Sequence, residues 1–149
     1  MKQPTLKACR KGNHGFTLVE LMIVVVIVAI LASIALPSFL EQINKTRRAD
    51  GTSKLLEIMQ AQERYRTTEF TYTTDLTELG YTVDGDGDAT SDEGYYSIAA
   101  SACGDGIATC VQLTATPQNA QQDDACGTLS LDSTGLRTKS GSPPIEDCW

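Results

Sequence analysis

The chain is 149 residues long, 41% hydrophobic but only 6% aromatic, with five cysteines, one histidine and a formal net charge of −7. That length allows one domain of ordinary size. The acidic balance is wrong for a general nucleic-acid binder, which needs clustered Lys or Arg against phosphates, and with a single histidine, His14, near the start, the usual imidazole-based catalytic and zinc sites have little to be built from.

Residues 1–15 are short, polar and basic, with Lys2, Lys7, Arg10 and Lys11 contributing +4 and leaving −11 for everything beyond. From Gly15 to Leu36 runs GFTLVELMIVVVIVAILASIAL, apolar except for Glu20. At ~1.5 Å per residue, Phe16 to Leu36 makes a helix of roughly 32 Å, enough to cross a ~30 Å hydrocarbon core. A carboxylate in such a segment costs ~2.5–3.5 kcal/mol on insertion scales, so Glu20 requires a partner or a position at the interface. Positive residues before the span and an acidic chain after it place the first fifteen residues in the cytoplasm and the remainder across the membrane. A rival reading is an ordinary secretory signal cut after Ser33-Ile34-Ala35, which leaves Glu20 unexplained and puts Pro37 just beyond the cut.

Pro37 predicts a kink, since it removes one helical hydrogen bond. Helix-forming composition then continues to about Arg66, with Leu55, Ile58, Met59, Gln62 and Tyr65 on one face at spacings of three and four, a stripe suited to packing on a sheet. Gly51 costs ~1 kcal/mol relative to alanine inside a helix and marks a soft point or a close packing contact. Lys45, Arg47 and Arg48 read as a solvated basic face, with lipid headgroups or acidic neighbours as the other partners for it.

From Thr67 the composition shifts to Thr, Tyr, Asp and Gly, and fourteen acids face only Arg137 and Lys139. Asp84, Asp86, Asp88, Asp92 and Glu93 crowd into VDGDGDATSDEG, whose alternating carboxylates resemble a calcium loop, although Ala89 and Tyr95 stand where an EF-hand has its glycine and bidentate glutamate. The alternative is a solvated acidic loop, and no other cofactor is expected. Strands are expected at Tyr95–Ala100, Thr109–Thr116, Gly127–Leu131 and Leu136–Thr138, with Pro117 ending the second and Pro143-Pro144 excluding a central strand near the end. Cys103, Cys110, Cys126 and Cys148 fit two disulfides in an exported head of about 110 residues, which is near the lower size for a self-sufficient core. Three connectivities are open; the tight CGDGIATC loop favours Cys103–Cys110.

The string from Lys11 to Glu20, KGNHGFTLVE, resembles the processing site of type IV prepilins: basic leader, glycine, phenylalanine, and glutamate fifth after the cut. RRAD at Arg47–Asp50, QERY at Gln62–Tyr65 and the stretch Tyr72–Gly80 look most like minor type IVa pilins of the assembly-priming set, with Gly51 a departure where alanine is usual. The resemblance implies an α+β pilin fold: a leader (1–15), a membrane or filament-core helix (16–36), an amphipathic helical half (37–66), and a loop with an antiparallel sheet and C-terminal disulfide loop (67–149). It implies cleavage between Gly15 and Phe16 by prepilin peptidase, methylation of the Phe16 amine, pairing of that amine with Glu20 of a neighbouring subunit, and a Cys126–Cys148 bridge. An α-amino group titrates near 7.7–8.0, so it carries a proton that such a carboxylate would hold.

The implied chain is no enzyme but a substrate of the peptidase. Its partners are other pilin subunits and an inner-membrane assembly platform, with no nucleic acid expected. Its place is the inner membrane before assembly, head in the periplasm, and the cell-surface pilus afterwards, where it supports assembly and through it adhesion or twitching motility. A major pilin or a type II secretion pseudopilin is the nearest alternative, and a secreted binding domain the remote one. An acid pair on the head is the only enzymatic chemistry left open.

Overall fold

The computed structural model describes residues 16–149; the leader, Gly15 and the expected scissile bond lie outside the described residues. Helix α1 runs Leu18–Glu69. Contacts divide the chain into two compact units, with the boundary inside this helix between Phe39 and Leu40.

In the first unit the helix presents apolar side chains on every side, from Leu18 at 75% exposed to Val24 at 51%. By length and composition it can cross a membrane. Thr17 caps it: its hydroxyl accepts the Glu20 N–H at 3.2 Å. Thr-Leu-Val-Glu thus has the spacing of a capping box, in which a threonine hydroxyl satisfies an orphan N–H of the first turn.

The second unit is the head. Its sheet has five antiparallel strands in chain order, β1 (Ala89–Thr90), β2 (Tyr96–Ala102), β3 (Val111–Pro117), β4 (Leu129–Asp132) and β5 (Arg137–Lys139). The longest pairing joins Tyr96 to Pro117 and Ala102 to Val111 across β2 and β3. Alternation along β3 sends Val111, Leu113 and Ala115 inward, as a strand with one covered face requires. Those side chains meet Ile98, Leu129, and Leu55 and Ile58 of α1, all fully buried.

Four of the five strands fall within two residues of their expected bounds. The exception is β1, which lies inside the acidic loop, where two residues of Ala-Thr are too few to show a period. The helix passes Arg66 by one turn and stops at Phe70, whose φ of 59° is left-handed. A last short helix, α2 (Ile145–Cys148), follows Pro144, a residue suited to helix starts because it has no N–H to leave unpaired.

Gly51 is a contact point. A Cβ built there would lie 2.7–3.0 Å from Cδ2, Cγ and Cε2 of the Tyr96 ring. The missing methyl lets the helix approach β2 closely.

Candidate assembly site

Five groups of residues singled out by the sequence have defined surroundings. At the membrane end, Phe16 is 82% exposed and Glu20 is exposed as well, its backbone held by the Thr17 cap. The cap places the carboxylate in the first helical turn, where the helix dipole favours negative charge. The capping role of Thr17 has a local signature in the sequence, T-x-x-E from Thr17 to Glu20.

The basic cluster is not a solvated face. Arg48 is 3% exposed. Its Nε donates to Asp124 Oδ2 at 2.8 Å and its Nη2 to Asp124 Oδ1 at 2.6 Å, a bidentate pair, while Nη2 also reaches Glu41 Oε1 at 3.0 Å and Nη1 the Asp147 carbonyl at 3.1 Å. Asp124 has a fully buried side chain. Hydrogen bonding to Asp124 drives the Arg48 pKa upward, so the guanidinium stays charged at any accessible pH. Arg47 lies 4.7 Å over the Tyr95 ring and donates to the Ala120 carbonyl at 3.0 Å. Lys45 alone of the three is exposed and unpaired among the described residues. The partners of Arg48 sit some 76 and 99 residues away in sequence, which no local pattern reveals.

The same C-terminal segment carries the disulfides. Cys126 bonds Cys148 with S–S 2.01 Å, and Cys103 bonds Cys110 with S–S 2.00 Å. Asp124 and Asp147 flank the first bridge, so one arginine on α1 and one covalent bond fasten the same piece of chain.

The strings QERY and Tyr72–Gly80 form a lock between α1 and the loop after it. Gln62, fully buried, donates from Nε2 to the Thr73 carbonyl at 2.6 Å and accepts the Thr73 N–H on Oε1 at 3.1 Å. Tyr72 donates to Glu63 Oε1 at 2.8 Å, accepts from Arg66 Nη1 at 2.8 Å, and lies under its guanidinium at 4.8 Å. Tyr65 donates to Glu78 at 2.9 Å. Asp75 accepts the Thr77 N–H at 2.9 Å to start a 3-10 turn over Leu76–Leu79, and hydrogen bonds from Thr77 hold its carboxyl below the usual range.

The acidic loop does not assemble the candidate calcium ligands. Asp84 Oδ1 accepts the N–H groups of Asp86 (3.0 Å) and Asp88 (3.1 Å), Asp88 Oδ2 accepts the Ser97 hydroxyl (2.9 Å), and Asp92 pairs with Lys54 (2.6 Å). Glu93 enters through its N–H, which Asp50 Oδ1 accepts at 3.2 Å. Among the described residues no three His, Cys, Asp or Glu side chains come together in a way that could hold a metal. Asp84, the first of the alternating aspartates, serves as a turn cap here, a role which the same sequence pattern also permits.

Residues 37–130 match the protein family described as "Type IV minor pilin ComP, DNA uptake sequence receptor", and residues 10–36 match the "Prokaryotic N-terminal methylation motif". The "Type IV major pilin protein PilA" of Myxococcus xanthus is 36% identical over 69 residues, 46% of this chain and 31% of that protein. The "Type II secretion system core protein G" of Klebsiella michiganensis is 35% identical over 71 residues, 48% of this chain and 49% of that one. The chain thus spans half or less of these curated relatives. The solved structure of the Neisseria meningitidis non-core minor pilin PilV shares the fold with a TM-score of 0.50 and 20% identity, covering 70% of this chain and 93% of that one. A long apolar helix with its methylation motif, an amphipathic continuation packed on a five-stranded antiparallel sheet, and a family match across more than half the length agree: the chain belongs to the type IV pilin family.

Proposed function

We propose that this chain is a minor pilin, a scarce structural subunit of a type IV pilus that supports filament assembly. The observation that carries the reading is the match of residues 37–130 to a minor-pilin family directly after a methylation motif over residues 10–36. Prepilin peptidase cuts between Gly15 and Phe16, and the methylated Phe16 amine pairs with Glu20 of a neighbouring subunit. Burial penalises either charge alone, so the pair favours one register of docking. Pro37 kinks the helix between its lipid-facing and head-packing parts. The chain waits in the inner membrane and leaves it only for the filament, where other pilin helices replace lipid around the apolar segment.

The experiment is mass spectrometry of the protein from a piliated host, on membranes and on sheared filaments. N-methylated Phe16 and a small filament share beside an abundant second pilin are the expected results. A start near Leu36 removes the reading, and a dominant share turns it into a major pilin. Glu20→Ala should still be cleaved and should fall at least tenfold in filament incorporation; normal incorporation refutes the pairing.

The family description names a DNA uptake sequence receptor, which favours a second reading in which the head binds duplex DNA. Fourteen acids against Arg137 and Lys139 beyond Thr67 weigh against it, because each phosphate contact needs a cation. A gel shift with mixed-sequence duplex at low salt separates the two. The likeness to a secretion core protein supports a pseudopilin as a third assignment, distinguished by which filament holds the chain.

A further inference from the structure

Phe70 is 84% exposed and sits at φ 59° immediately after α1. A single exposed phenylalanine means little, and a left-handed residue after a helix is common, but glycine or asparagine ordinarily fills that place. An aromatic residue there is disfavoured both by its backbone conformation and by the water around its ring. Among the described residues, the packed core of the head does not include the ring.

The same head carries a place that a ring would fit. Beside α1, Ala49, Thr52, Cys148 and Trp149 line a largely apolar, open-mouthed pocket of about 180 Å³, to which Lys45, Arg48 and the exposed Asp147 also contribute. A dry apolar cavity of roughly 150 Å³ takes up benzene. Trp149 gives it an aromatic wall fixed by a 3.1 Å hydrogen bond from its Nε1 to the Thr138 carbonyl and by Arg137 stacked 5.2 Å over its ring. Aromatic pairs in such a setting favour offset or edge-on contact. The charges agree as well. Exposed Glu69 adjoins Phe70 and exposed Lys45 lines the cavity, and among the described residues neither makes an ion pair.

We propose that Phe70 of one copy inserts into the Ala49–Trp149 cavity of a second copy of this chain, with Glu69 meeting Lys45 at the rim. The contact rests on the filament reading above. Knob and hole are different patches, so the contact is head-to-tail and extends along a filament instead of closing into a dimer. Ala49 and Phe70 are 21 residues apart on one helix, which sets the axial offset between the two copies at ~30 Å. A scarce subunit with both halves of the contact enters the filament in runs.

The test replaces Phe70 in the full chain with p-benzoyl-phenylalanine in a piliated host lacking its own copy, irradiates the cells and maps cross-links in sheared filaments. Cross-links from position 70 to residues 45–52 or 147–149 of a second copy are expected. Cross-links to another pilin, to a different surface of a copy, or none from a chain present in filaments would overturn the contact. Absence of the chain from filaments fails the filament reading itself. Lys45→Glu and Glu69→Lys should each lower the cross-link yield severalfold and restore it when combined. Phe70→Asn should leave the unfolding midpoint of the detergent-solubilised chain unchanged or higher while incorporation falls; a lower midpoint would mean that the ring serves the fold instead.

Discussion

Replacing Gly51 by alanine separates two opposing effects. In an exposed helix the change is worth ~1 kcal/mol of added stability. Here the new Cβ meets three carbons of the Tyr96 ring at 2.7, 2.8 and 3.0 Å, where carbon atoms at rest stand ~3.5–4.0 Å apart. Helix or ring must give by almost an ångström. The ring has little freedom, because Tyr96 is fully buried, its N–H donates to Ser91 Oγ at 2.9 Å and its hydroxyl accepts from Gln121 Nε2 at 3.3 Å. Overpacking of this kind costs ~1–3 kcal/mol, so the balance is a loss of about 1 kcal/mol and a fall of roughly 4 °C in unfolding midpoint. Thermal unfolding followed by circular dichroism measures it, with Ser53→Ala on an exposed position of the same helix as control. In a Tyr96→Ala background the sign should reverse, since neighbouring substitutions are not additive. A midpoint raised by Gly51→Ala alone would refute the steric account and return Gly51 to a soft point in the helix.

Arg48→Ala leaves Asp124 buried without a partner and should cost ~3–5 kcal/mol in urea unfolding, while Arg48→Met combined with Asp124→Leu recovers most of it. Gln62→Ala strips Thr73 of partners for both its N–H and its carbonyl; a loss of ~2 kcal/mol is expected, with hydrogen exchange rising first over residues 71–80. Burial pushes the Tyr96 phenol up to about 12 from ~10 in the unfolded chain. Its contribution is therefore intact below pH 10 and is lost as the pH climbs towards 12, roughly 2–3 kcal/mol in all. An absorbance titration should show a late phenolic step that Tyr96→Phe removes. Millimolar calcium or chelator should move the midpoint by less than ~1 °C, since Asp84, Asp88 and Asp92 are each engaged with a different partner; a larger shift means the loop rearranges around the ion.

What could be read from the sequence was whatever has a short period or a local cause. Leu55, Ile58 and Gln62 repeat at helical spacing and do face the core, and β3 alternates as a half-covered strand must. The aspartate loop left two readings open, because one spacing serves both a cation and a turn cap; in the structure Asp88 holds Ser97 and Asp92 holds Lys54. Arg48 looked like a solvated cation since its neighbours in sequence are polar; the carboxylate that buries it arrives from beyond β3. Resemblance located QERY without explaining it, and the explanation is the Gln62–Thr73 double hydrogen bond.

The two units answer different solvents. In the head nearly every chemical demand is met internally: the Arg48 charge by Asp124, the orphan groups of Thr73 by Gln62, and the chain end by Cys126. In the first unit the apolar surface is not covered internally, for its valines, isoleucines and leucines remain half to three-quarters exposed around the whole helix. At ~25 cal/mol per Å² that surface amounts to tens of kcal/mol against water, so it must always lie in lipid or against similar helices. Packing supplies no preference between those two apolar surroundings. On the pairing proposed above, the one charge in the segment, Glu20, would distinguish them, because a carboxylate that finds a cation on a neighbouring chain gains what hydrocarbon cannot offer. Reversing that charge with Glu20→Lys should leave the chain membrane-bound and processed, and absent from filaments; recovery of an unaltered amount from filaments would show that apolar contact alone selects the site.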